Sequence, residues 1–130
     1  MNNFEFDRMY TFIYHTDMGK ADRFYRELLG LEAEAESDWV MYYKIKPNLT
    51  IGVVQDCRGF LRVSNDKPVI LCLGVVDDGD IHELYNRLKD AGVKMRSDKV
   101  ELMETEGKVF FCEDPEGYII EIVQRPKGTS

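Results

Sequence analysis

The sequence has few of the side chains that most often hold transition metals. Its 130 residues include two histidines and three cysteines. Cys57, Cys72 and Cys112 show no CxxC spacing, and an odd count makes a poor disulfide framework. They read as reduced thiols in a reducing compartment. No apolar run approaches the roughly 18 residues that would span a bilayer, and no charged-then-apolar leader opens the chain. The expectation is therefore a cytoplasmic protein without a membrane partner. Basic residues are also scarce, 17 Lys and Arg against 24 Asp and Glu, for a formal net charge of −7. No basic stripe with interleaved aromatics is present, which argues against a nucleic-acid partner. The acidic balance suits solubility, and it fits a cationic ligand.

What is present is ordinary for a folded chain of one domain's length, with 44% apolar and 32% charged residues. It also repeats. IGVVQ at 51–55 answers IEIVQ at 120–124, and a proline turn precedes each, KPN at 46–48 and DPEG at 114–117. FYREL at 24–28 answers LYNRL at 84–88, each followed by glycine and an apolar residue. A strand-like run ending in Asp lies upstream of each, YTFIYHTD at 10–17 and VILCLGVVDD at 69–78. Four matches in one order indicate a duplicated unit.

Each unit reads strand, helix, then three strands. In the first, Met9–Thr16 is a strand, Lys20–Leu29 a helix stopped by Gly30, and 33–36, 39–44 and 49–55 further strands. In the second, Val69–Val76 is a strand and Ile81–Ala91 a helix, with Ile81, Leu84, Tyr85 and Leu88 as its apolar stripe and Gly92 as its stop. Strands at 93–95, 109–112 and 118–124 follow, and 100–103 extends one more. The fold class is α+β: one domain of two βαβββ modules, 8–55 and 69–124, joined by linker 56–68. The two modules curve around a cleft, with helices on the outside. The linker, DCRGFLRVSNDKP, carries two exposed apolar positions, Phe60 and Leu61, and reads as a loop, a lid or a contact between subunits.

Three stretches carry a family resemblance: HTDMGKADRFYRELLGLE at 15–32, LYNRLKDAGVKM at 84–95 and FFCEDPEGYIIEIVQ at 110–124. They resemble the vicinal oxygen chelate superfamily, which groups glyoxalases, bleomycin resistance proteins and extradiol dioxygenases. His15 stands where that family usually has valine. The resemblance spans roughly residues 8–125, and it implies the two-module fold and a homodimer. Many members bind a divalent metal in the cleft through the first and last strands of each module. Carried over, those positions fall on Tyr10, Gly52, Leu71 or Leu73, and Glu121. One good ligand remains of the three or so that a catalytic site needs. No cofactor is therefore expected, and a divalent metal is disfavoured.

The remaining candidates have plain structural readings. His15 alternates away from Tyr10 and belongs on the helix-covered face. His82 opens a helix. Cys72 falls out of phase with the cleft if Leu71 and Leu73 mark it, and Cys57 reads as an exposed thiol. Asp80 caps a helix, and Glu32, Glu34 and Glu36 lie on one side of a half-exposed strand.

What is left for the cleft is aromatic. Tyr10, Phe12 and Tyr14 share a face by the two-residue period. Trp39 with Met41 and Tyr43, or Val40 with Tyr42, adds to it from the third strand. This lining suits an aromatic or cationic small molecule. The expected ligand-binding residues are Tyr10, Phe12, Tyr14, Trp39 and Glu121, with Glu121 also the catalytic candidate. The leading expectation is a small-molecule-binding protein of the bleomycin-resistance type without the usual metal. The alternatives are a lyase, isomerase or dioxygenase with a relocated metal site or Glu121 as general base, and a module that mainly mediates protein association.

Overall fold

The computed structural model describes residues 4–105 and 107–126. The chain divides into two compact units, Met1–Ser64 and Asn65–Ser130, and the division falls inside the stretch read as linker.

In the first unit, β1 (Met9–His15) runs parallel to β4 (Leu49–Gln55), with Phe12 opposite Gly52. β3 (Val40–Lys46) pairs antiparallel with β4, and β2 (Glu32–Ala35) with β3, giving the order β1-β4-β3-β2. A parallel pair needs a crossover, and here the helix supplies it. α1 (Met18–Asp22) starts at Asp17, whose side chain accepts from the Lys20 N–H at 3.0 Å. From Arg23 to Leu28 the helix widens into a π-helical stretch, marked by the Leu29 N–H donating to the Phe24 carbonyl. The sequence pattern gives no sign of this, because a π turn adds one residue without disturbing which side chains are apolar. Gly30, at φ +75°, ends it.

One sheet face lies under this helix. Ile13, His15, Tyr43, Ile51 and Val53 are buried there with Ala21, Phe24 and Tyr25 from the helix. The Tyr25 ring meets Tyr43 at 5.4 Å and His15 at 6.2 Å, which places His15 on the helix-covered side. The Tyr43 hydroxyl donates to Asp22 at 2.9 Å, and Arg26 donates to the other carboxylate oxygen at 2.8 and 2.9 Å.

The second unit repeats the plan. β5 (Ile70–Gly74) is parallel to β8 (Ile119–Gln124), with Cys72 opposite Glu121. β7 (Lys108–Glu113) is antiparallel to β8, and the two-residue β6 (Glu101–Leu102) to β7, in the order β5-β8-β7-β6. The strand expected at 93–95 is reduced to a single bridge, Met95 to Cys112. α2 (Ile81–Asp90) is capped by Asp80, which accepts from the His82 and Glu83 N–H groups, and buries Ile81, Tyr85 and Leu88. At the turn before β8 the buried Asp114 carboxylate accepts from the N–H groups of Glu116 and Tyr118, and Gly117 takes φ +100°. No helix among the described residues is long and apolar enough to cross a membrane.

Candidate functional site

The face of the first sheet turned away from its helix is aromatic. β1 presents Tyr10, Phe12 and Tyr14 there, because alternate side chains share a face. They run from 40% and 46% exposed to 8% along the strand. β4 contributes Gly52, and the Phe12 ring lies directly over it: a Cβ at residue 52 would sit 2.5 Å from Phe12 Cδ1. On the other side of Gly52, β3 contributes Tyr42. The Tyr10 and Tyr42 rings meet edge-on at 5.3 Å, and Phe12 lies 6.2 Å from each. Three rings thus cluster on this face, and a larger residue at 52 would displace the Phe12 ring.

Further along, Tyr14 packs with Val40 and Val54, and Trp39, Tyr42 and Val63 lean against that cluster. Residues 56–63 form a short loop pinned at both ends. The Asp56 N–H donates to the His15 carbonyl, and the Asp56 carboxylate accepts from the Val63 N–H at 2.8 Å. Cys57 adopts φ +67°. The Arg58 guanidinium sits 5.4 Å from the centre of the Trp39 ring, and Arg62 donates to the Cys57 sulfur. Gly59 passes so close to the Tyr14 ring that no side chain would fit. Between this loop and the sheet lies an open groove of about 650 Å³, with Phe12, Tyr14, Trp39, Tyr42 and Phe60 as its aromatic walls and Glu36 as its charged wall.

Of the residues expected at the site, Phe12, Tyr14 and Trp39 line this groove. Tyr10 stands beside it on the same face. Glu121 belongs to the second unit, where its neighbours across the strands are Cys72 and Phe111. Of the two phases left open for the third strand, Val40 with Tyr42 faces the groove. Tyr43 is wholly buried on the helix side, held by its bond to Asp22. Glu36 and Ser37 enter the lining from the β2–β3 turn, where both N–H groups donate to the Val40 carbonyl. Alternation along 31–36 placed Glu36 on an outer face and carried no hint of this turn.

The register also corrects the phase of the second unit's first strand. Gly52 and Glu121 hold equivalent places, and their parallel partners are Phe12 and Cys72. Cys72 therefore shares Glu121's face, and burial together with the Glu121 charge raises its pKa. The position matching Tyr10 is Ile70, 53% exposed, while Leu71 is buried on the helix side at 8%. Counting back from Asp78 misplaces the strand, because VVDDGD holds more residues than the matching turn of the first unit.

These positions do not fit the metal of the resembling family. Tyr10 and Ile70 offer nothing suitable, Gly52 has no side chain, and the Phe12 ring fills the place where one would begin. Among the described residues no group of three or more His, Cys, Asp or Glu is placed to hold a metal ion.

A family model described as Glyoxalase/Bleomycin resistance protein/Dioxygenase superfamily matches residues 71–122. Solved structures match almost the whole chain. A lactoylglutathione lyase from Agrobacterium tumefaciens aligns with a TM-score of 0.70 over 89% of this chain and 91% of its own, at 17% identity. The family match falls within the second unit, and over that segment the chain is similar to the glyoxalase/bleomycin resistance/dioxygenase superfamily. Its α+β fold is shared with these solved structures. A structure titled oxidase ChaP-H2 aligns at TM-score 0.73 over 97% and 98% of the two chains, at 22% identity. A glyoxalase-related enzyme from Fulvimarina pelagi aligns at 0.73 over 88% and 86%, at 20% identity. No curated protein sequence matches the chain. At such identities the superfamily's structures speak for the fold, and activity must be argued from the site.

Proposed function

We propose that the protein binds a small organic molecule in the aromatic groove of its first unit, without the metal that many superfamily members use. The observation that carries this is the groove itself, about 650 Å³, walled by rings from two strands and a pinned loop. Its size and apolar walls are those of small-molecule sites. The Gly52 position supports the same reading, since an aromatic ring has taken the place of a ligand side chain. The reading takes the chain as one domain of modules 8–55 and 69–124, acting as a homodimer in the cytoplasm, with Tyr10, Phe12, Tyr14 and Trp39 at the ligand. Trp39 is the single tryptophan of the chain and lies in the groove, so its emission reports occupancy. A screen of flat organic compounds should find ligands that quench Trp39 and lose affinity on Phe12→Ala. Stoichiometric Zn, Ni, Mn or Fe in the purified protein, lost on Glu121→Ala, would overturn the metal-free reading.

A second reading, an enzyme with Glu121 as general base, draws on one observation. Glu121 stands in register between Cys72 and Phe111 on the face away from α2, half-buried and beside a thiol whose pKa it raises. Turnover of a groove ligand that stops on Glu121→Gln while binding persists would favour it.

A further inference from the structure

Every ring of the groove is neutral at physiological pH, and among the walls named above the one charged group is the Glu36 carboxylate. It is held there by backbone, the Glu36 N–H donating to the Val40 carbonyl at 3.0 Å. Among the described residues this carboxylate forms no salt bridge, whereas Glu34, two residues earlier, is paired with Lys44 at 2.8 Å. Glu36 also acts on the groove's own wall. The Tyr42 hydroxyl is pushed above the ordinary tyrosine range by burial first and then by the Glu36 charge. The Trp39 ring, for its part, already carries a cation, the Arg58 guanidinium at 5.4 Å, and Arg58 does not line the groove. Electron-rich ring faces around one unpaired carboxylate make a seat for positive charge.

Building on the groove as a binding site, we propose that its ligand is an organic cation, a flat aromatic or quaternary amine, and that Glu36 is its counter-ion. The aromatic walls supply the contact area, and Glu36 supplies the preference for positive charge over a neutral molecule of the same shape. Arg58 works against that preference, because its positive charge already sits 5.4 Å from the centre of a ring that lines the groove. The specificity-determining pair is thus Glu36 and Arg58, with opposite effects.

Three probes of nearly one shape separate the outcomes: N-methylacridinium, acridine above its own pKa, and acridine-9-carboxylate. Quenching of Trp39 gives each affinity. The expected order is cation, neutral, anion. Glu36→Gln should reduce the preference for cation over neutral about threefold, as expected for an exposed ion pair. Arg58→Gln should increase it. Thermal melts of both variants check that the fold is kept, which their exposed positions favour. Binding of the neutral or anionic probe ahead of the cation, or a preference unmoved by Glu36→Gln, would overturn the cation assignment and leave the groove a binding site. No quenching by any of the three would remove both.

Discussion

Adding a single methyl group at Gly52 tests the arrangement of the candidate site. An alanine Cβ there would stand 2.5 Å from the Phe12 ring, where ordinary contact begins at 3.4 Å, so the ring must move by roughly 1 Å. Overpacking of this kind costs about 1–3 kcal/mol in a rigid core. Phe12 is 46% exposed and can swing outward, so the cost belongs near 1 kcal/mol. Against it, replacing glycine in a strand interior removes unfolded-state freedom and returns about 0.5–1 kcal/mol. In the natural protein the two nearly cancel, and Gly52→Ala should change stability by under about 1 kcal/mol. With Phe12→Ala the clash is gone and only the gain remains, so Gly52→Ala should stabilise that background by about 0.5–1 kcal/mol. The coupling between the two sites is therefore about 1 kcal/mol, measurable by a double-mutant cycle in urea with unchanged slopes. Ligand affinity should fall in Gly52→Ala even where stability does not, since the displaced ring enters the groove. An identical effect of Gly52→Ala in both backgrounds would refute the claim that Phe12 rests on Gly52.

Other outcomes follow from the helix-covered face and the thiols. Arg26 holds the Asp22 carboxyl below the usual carboxylate range, aided by the Tyr43 hydroxyl and opposed by burial. Its stabilisation is complete above the unfolded value, about pH 4, and is lost as pH falls through the lower folded value. Asp22→Asn should therefore flatten the acid limb of a melting-temperature profile. Burial, and next the bond to Asp22, push the Tyr43 hydroxyl far up. That contribution is intact below about pH 10 and fades as pH rises beyond it, and Tyr43→Phe should lose this alkaline dependence along with about 1–2 kcal/mol of stability at neutral pH. Cys112 is wholly buried with its thiol pushed up to about 12, while Cys57 and Cys72 are exposed. A disulfide reagent should thus modify Cys57 first, Cys72 more slowly, and Cys112 only in denaturant.

Much of the fold was legible in the chain because the duplication repeats both hydrophobic period and punctuation. Glycines 30 and 92 sit at positive φ after the helices, Asp80 caps α2, and DPEG turns into β8 as its residue types dictate. Alternation along β1 separated His15 from Tyr10, and the burial of His15 against Tyr25 has that local cause. These are properties of neighbours in sequence, and two-residue and 3.6-residue periods express them directly.

The pairing of strands was decided by tertiary structure. Which phase of 39–43 faces the groove depended on the register of β3 against β4 and on the bond that draws Tyr43 to Asp22, 21 residues away. The phase of β5 depended on its parallel register with β8, which set Cys72 beside Glu121 across nearly fifty residues. Phe12 over Gly52, Glu36 at the groove and Arg58 on Trp39 all join residues from different strands or loops. Residue types along one strand state which side chains share a face. Only the packed sheet states which other strand lies beside that face, and so which charges and rings meet there.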